Sequence, residues 1–169
     1  MPQLCHVGSR CCWSGVDGMT GGWVRPRLRD LQRVLEPALR VEFGEIDVRS
    51  SCLRFESAGY RITPWLCRFL ENYSELTVVW RGSLGGDNEL VTTVEAALDV
   101  PRRNVRIDAG RLGQEVMPVG AAFETEDSVL LAENGDIIFS GDAGMQRVGN
   151  GFEESLRALL ANDWDRTFF

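Results

Sequence analysis

Serine, cysteine and threonine nucleophiles depend on a positioned base, most often histidine, and this chain has a single histidine, His6. That nearly removes Ser-His and Cys-His hydrolase chemistry. His6 stands beside Cys5, Cys11 and Cys12. Those four side chains could ligate a metal, but they lack the paired C-x2-C units of zinc sites. With Cys52 and Cys67 the cysteines number five, and an odd count without an export signal argues against a disulfide framework. Carboxylate pairs remain as candidates for hydrolysis, Glu115 with Glu124 and Asp127 with Asp136. The acids between 124 and 136 flank a hairpin, however, where a solvated rim is the usual reading. Glu124, Glu126 and Asp127 also lack the spacing of a calcium loop. The glycine-rich GSLGGD at 82–87 lacks the lysine and serine or threonine of a phosphate loop and reads as a hairpin turn. No catalytic residue, metal ligand or cofactor site is expected.

Charge is read two ways, as a solvated surface that keeps the protein soluble or as a binding surface. The chain carries a net charge of −7, and all 18 of its basic residues are arginine. Residues 1–81 hold 11 arginines against 9 acids (+2), and 82–169 hold 7 against 16 (−9). An acidic excess disfavours nucleic acid, whose phosphates need a basic surface, and favours a basic protein partner through electrostatic steering. Arg102, Arg103 and Arg106 form the one basic cluster of the acidic half, and pairing with nearby carboxylates is their expected fate. With 44% hydrophobic residues and no apolar run near the roughly 20 residues of a membrane span, the expectation is a globular protein located by default in the cytoplasm. The first residues lack the apolar core of a secretory signal.

The elements that would present these charges follow from periodicity. Pro26 opens a helix with Leu28, Leu31, Leu35 and Leu39 on one face, ended by Pro37. Residues 40–62 are less regular: Val41, Phe43 and Ile46 alternate weakly, and Leu53 and Phe55 could begin a short strand. Thr63-Pro64 caps a second helix with Leu66, Phe69, Leu70 and Tyr73 on one face. Strands follow at 76–80 and 89–94, then a helical turn at 95–98 ended by Pro101. From Gly110 the chain reads as an extended segment closed by Pro118 and Gly120. The apolar runs 129–132 and 137–139 flank Glu133-Asn134-Gly135-Asp136, and Asn-Gly there predicts a type I′ hairpin with positive φ at both residues. Asn150 and Glu153 predict a capping box for a last helix with Phe152, Leu156, Leu159 and Leu160 as its stripe. The WDRTFF tail carries three aromatics that could dock on the body or meet a partner.

Taken in order, these segments look familiar. GYRITPWLCRFLENYSELTV resembles a segment of the SUKH superfamily, proteins related to the yeast Smi and Knr cell-wall regulators. LGQEVMPVG, VLLAENGDIIFS and RVGNGFEESLRALLAND are similar to the third SUKH subfamily of bacterial immunity proteins, over roughly residues 23–162. The resemblance implies an α+β domain with a central, largely antiparallel or mixed sheet packed against helices. It also implies a protein that neutralises a toxin, often a nuclease or deaminase. Its positions here are structural: Trp23, Arg25, Phe69, Leu70, Gly113, Pro118, Gly120, Gly135, Phe152 and Leu156. The sequence departs from the pattern at Asn72-Tyr73-Ser74-Glu75, where a tight glycine turn is usual, and by an insertion around 40–58. The expected organisation is a disordered extension over 1–22, with Met19 as a natural-looking start, a SUKH-like domain over 23–162 and a tail over 163–169. The expected partner surface comprises Glu124, Glu126, Asp127, Glu133 and Asp136, facing a basic cognate toxin, with no nucleic acid or membrane as partner. Two other readings stand beside it, a regulatory interaction scaffold of the same fold and a small carboxylate-dependent hydrolase.

Overall fold

The apolar runs at 129–132 and 137–139 have no polar alternation because both of their faces are buried. In the computed structural model, which describes residues 25–169, Val129, Leu131, Ile137 and Phe139 point into a large core on one side of a sheet. Leu130, Ala132 and Ile138 point into a smaller core on the other side. A strand covered twice must be apolar at every position, whereas a strand with one wet face alternates.

The sheet has seven strands in sequence order, every neighbouring pair antiparallel. They are β1 (Arg40–Phe43), β2 (Leu76–Arg81), β3 (Asp87–Val91), β4 (Val116–Ala122), β5 (Asp127–Ala132), β6 (Asp136–Gly141) and β7 (Gly144–Asn150). The helices are α1 (Leu28–Leu35), α2 (Val48–Ser57), α3 (Pro64–Tyr73), α4 (Val94–Asp99), α5 (Arg102–Leu112) and α6 (Phe152–Leu160). The large core takes Leu31, Val34 and Leu35 from α1, Phe55 from α2, Leu66, Phe69 and Leu70 from α3, and Phe152, Leu156 and Leu159 from α6. Val105 of α5, with Ala109 and Leu112 beside it, covers the second face over β4–β6. The result is the expected α+β domain, with a sheet that is antiparallel throughout.

Several local expectations change. Residues 48–57 are helical, not the start of a strand: the Asp47 side chain accepts from Ser50 N–H as an N-cap, Phe55 is buried, and Leu53 faces solvent. Residues 102–112 form α5 where no helix is evident in the sequence, because only Val105 and Asp108 of RRNVRIDAGRL are buried. The Asn134-Gly135 hairpin forms, but with a three-residue loop. Gly135 N–H donates to Ala132 C=O, Gly135 has φ of 91°, and Asn134 is not among the positive-φ residues. This is a type I turn followed by a left-handed glycine rather than a type I′ turn. Thr63 caps α3 as expected, accepting from Leu66 N–H. At the exit of α3 the missing glycine is replaced by Glu75, held at φ of 54°.

Two close approaches fix the relation between layers. A Cβ on Gly120 would stand 2.1 Å from the Val91 carbonyl oxygen, at the point where the chain leaves β3 for α4 and the β4–β5 register shifts. Arg25, 5% exposed, sends its guanidinium into the gap between α3 and β1. It donates to the carbonyls of Asn72 (3.3 Å), Ser74 (2.5 Å), Gly44 (3.2 Å) and Glu75 (3.0 Å). Trp23 and the proposed extension lie outside the described residues.

Arg25→Ala removes the donor of the buried Ser74 carbonyl and of three part-buried ones, of which only Glu75 C=O keeps a second donor, Gly44 N–H, and an unsatisfied buried group costs about 1–3 kcal/mol. Urea denaturation of Arg25→Ala should show a loss of at least about 3 kcal/mol, and Arg25→Lys, which lacks the planar fork, should recover less than half of it. Full recovery by lysine would show that charge alone matters there. Gly120→Ala should cost more than about 2 kcal/mol by the same measurement, because the obstacle is backbone.

Candidate functional site

An antiparallel meander sends alternate turns to opposite ends of the sheet, and this divides the five acids expected to act together. Glu124 and Glu126 lie in the β4–β5 turn with Asp127 at its exit, while Glu133 lies in the β5–β6 turn with Asp136 at its exit. Six residues at about 3.4 Å each separate Asp127 from Glu133, roughly 20 Å along β5. The same geometry separates the two carboxylate pairs considered for hydrolysis. Glu115 and Glu124 flank β4 at opposite ends, and Asp127 and Asp136 open strands that begin at opposite ends. Neither pair can share a substrate bond. Among the described residues no group of three His, Cys, Asp or Glu side chains could hold a metal ion, and Cys5, His6, Cys11 and Cys12 lie outside those residues.

At the end holding Glu133 and Asp136, most carboxylates are engaged. Asp136, 8% exposed, accepts from Arg147 (2.7 Å), from Asn150 (2.9 Å) and from the side-chain amide of Asn134 (2.9 Å). Burial pushes the Asp136 carboxyl up, but the three donors together outweigh it and hold its pKa below the ordinary value. Asn150 also donates to Asn134 C=O, so it clamps the β5–β6 turn instead of capping α6. Glu153, expected in that cap, instead pairs with Arg27 (2.8 Å) and accepts from the Tyr73 hydroxyl (2.9 Å). Burial, and then this bond to Glu153, raise the Tyr73 hydroxyl well above its usual pKa. Arg61 pairs with Glu115 at 2.7 Å. The carboxylates here staple strands and helices together.

The opposite end is different. Glu124 and Glu126 are exposed, Asp127 is half-buried over Gly141, and none of the three makes an ion pair among the described residues. The β2–β3 and β6–β7 turns and the chain after α6 converge on the same end. Asn162 donates to Arg81 C=O there, and Arg166 donates to Ser83. Asp87, Glu89, Asp142, Asp163 and Asp165 therefore join the turn acids, giving eight carboxylates against Arg40, Arg81 and Arg166. Two of these arginines are committed, Arg40 to Glu89 (3.3 Å) and Arg81 to Asp87 (3.0 Å). A depression of about 440 Å³ opens beside this rim, with Val79 and Phe123 in its apolar wall and Arg40, Glu89 and Glu124 at its edge. Asp87 and Glu89 escape a reading of the sequence because their nearness to Glu124 depends on β3 pairing with β4, across the long α4–α5 excursion between them.

The arginines of α5 do not meet their expected carboxylates. Among the described residues Arg102, Arg103 and Arg106 make no ion pair, and Arg102 lies over the Tyr60 ring at 5.8 Å. The tail splits its aromatics. Trp164 packs against the large core, while Phe168 and Phe169 are 52% and 57% exposed.

The α+β domain thus carries, among the described residues, one end where Glu124, Glu126 and Asp127 make no ion pair and one end where carboxylates staple the fold. The model of the SUKH-3 immunity protein family matches residues 42–162, and the chain belongs to that family. No curated protein and no solved structure matches it significantly. The family supports a toxin-immunity role. No helix of the described residues is long and apolar enough to cross a membrane.

Asp136→Asn should lower stability by about 1–2 kcal/mol at pH 7, since one charge-assisted network is lost. A carboxyl whose folded pKa lies below its unfolded value near 3.9 contributes stability that is present above that value and lost as pH falls through the folded pKa. The gap between wild type and Asp136→Asn in urea denaturation should therefore be constant from about pH 7 to about pH 5 and close below about pH 4. A gap independent of pH would assign the loss to packing alone.

Proposed function

We propose that this protein neutralises a cognate bacterial toxin by stoichiometric binding, without catalysis, in the cytoplasm of the cell that carries it. The observation that carries the reading is the acidic end centred on Glu124, Glu126 and Asp127, which make no ion pair among the described residues, flanked by Asp87 and Glu89 in their pairs with Arg81 and Arg40, on a chain of an immunity family. Exposed carboxylates without intramolecular partners accept a basic surface at little desolvation cost, and like charges gathered at one end accelerate encounter. A toxin of the nuclease or deaminase class suits this surface, because enzymes that hold polynucleotides present basic grooves. The adjacent depression, with Val79 and Phe123 exposed to it, offers an apolar anchor inside a charged rim, the arrangement in which interface energy concentrates. Glu133 belongs to the same reading only as a peripheral charge, and Asp136 contributes through the fold of its turn.

Growth rescue on co-expression with the toxin domain encoded beside this protein tests the role. The double variant Glu124→Arg/Glu126→Arg should lower the association rate at least about tenfold at low salt, weaken protection and leave the melting temperature unchanged. Glu133→Arg should change the rate by less than about threefold. Equal effects at both ends of the sheet would remove the assignment to this end. An intact rescue with the double variant would remove the acidic surface altogether. A regulatory scaffold of the same fold instead predicts no rescue of growth and retained binding to a host protein.

A further inference from the structure

The tail is tied down, yet two of its rings face solvent. Asn162 donates to Arg81 C=O, Arg166 donates to Ser83 and lies over the Trp164 ring at 4.2 Å, Gln146 donates to Arg166 C=O, and Phe169 N–H donates to Met145 C=O. These contacts hold residues 162–169 against the end of β2, the β2–β3 turn and the start of β7. Trp164 packs on the large core, but Phe168 and Phe169 remain 52% and 57% exposed. The rings stand outward on a backbone that is already fixed.

Two glycines set what stands beside them. Gly141 and Gly144 are opposite each other in the β6–β7 register, and opposed residues of an antiparallel pair share a face. The Asp127 carboxylate lies over Gly141, and the Phe168 ring lies over Gly144, 3.5 Å from where a Cβ would stand. Phe168 and Asp127 are therefore neighbours on one face, across a single strand pair. Glu126 adjoins Asp127, Asp142 lies in the turn between the two glycines, and Asp163 and Asp165 belong to the tail itself. None of these five acids makes an ion pair among the described residues, and Arg166 is engaged with Trp164 and Ser83. Aromatic rings contribute large apolar area on contact, and rings held on an ordered backbone lose little freedom when they are buried. Charge selects the occupant. A second copy meeting this patch about a twofold axis would set the five acids against themselves, whereas a basic partner pairs with them.

We infer that Phe168 and Phe169 are a projecting apolar anchor of the acidic end, and that they insert into an apolar recess surrounded by basic side chains on the toxin. The inference rests on the toxin reading above and adds a division of labour to it. The carboxylates set the rate of encounter, and the two rings set the rate of release.

The test uses the full chain and the toxin domain encoded beside it, with association and dissociation rates read by surface plasmon resonance. Phe168→Ala/Phe169→Ala should release the toxin at least about tenfold faster, associate within about twofold of the wild-type rate and keep the wild-type melting temperature. Phe168→Leu/Phe169→Leu, which keeps apolar bulk, should release it less than about threefold faster. Glu124→Arg/Glu126→Arg, run beside them, should show the opposite pattern, with slower association as the main effect. Unchanged release by the alanine variant would overturn the anchor and leave the toxin reading in place. Faster release accompanied by a lowered melting temperature would assign the rings to the fold and overturn it as well. A wild type that does not bind the toxin would remove the toxin reading and the anchor together. Sedimentation velocity without toxin covers the other occupant: a wild type that self-associates, and returns to monomer on Phe168→Ala/Phe169→Ala, would give the rings to a second copy and overturn the proposal.

Discussion

The structure depends on the middle of its sheet being buried from both sides. Once β5 and β6 are covered by the α1, α3 and α6 layer on one face and by α5 on the other, nothing polar stands in their middle runs at 129–132 and 137–139, and the chain must reach both faces. The α4–α5 segment meets that requirement. It leaves β3 after Val91, passes so close to Gly120 that no side chain fits, and crosses to the second face, where α5 lies down. Hydrophobic burial supplies the driving force, and the glycine supplies the clearance that makes the path possible.

Polar groups arrange themselves around this constraint. Arg25 satisfies carbonyls where α3, β1 and β2 converge, a place where main-chain ladders cannot continue. Asp136, Asn134, Asn150 and Arg147 form one network joining the β5–β6 turn to the end of β7. These charges are consumed in holding the fold. The turns at the other end need no such network: tail contacts at Arg81, Ser83 and Met145 tie that end together, and Glu124, Glu126 and Asp127 remain outside any ion pair among the described residues. The division between stapling and free acids is a consequence of an up-and-down meander, which sends successive turns to opposite ends.

Much of this was legible in the residues. The Thr63-Pro64 start, the stripe of α3, the apolar runs of the hairpin and the stripe of α6 each carry a local signal strong enough to survive tertiary context. Signals failed where a residue's role is set by a distant neighbour. Asn150 looks like a cap and is instead captured by Asn134 and Asp136, sixteen and fourteen residues away in sequence. Leu53 and Phe55 alternate like a strand, yet Asp47 caps a helix through them in which only Phe55 turns inward. Helix α5 offers only a thin stripe, Val105, Ala109 and Leu112, blurred by the exposed Ile107, because it needs to cover only a narrow second core.

By itself the sequence determined the fold class, the existence of the hairpin, the acidic balance and the family likeness, since these rest on composition, short-range spacing and ordered motifs. Tertiary structure alone decided which acids stand together. Glu124 and Glu133 are close in the chain and at opposite ends of the sheet, whereas Asp87 and Glu124 are far apart in the chain and rim one depression. Strand pairing, not sequence distance, sets that neighbourhood, and pairing is fixed by burial of both faces at once.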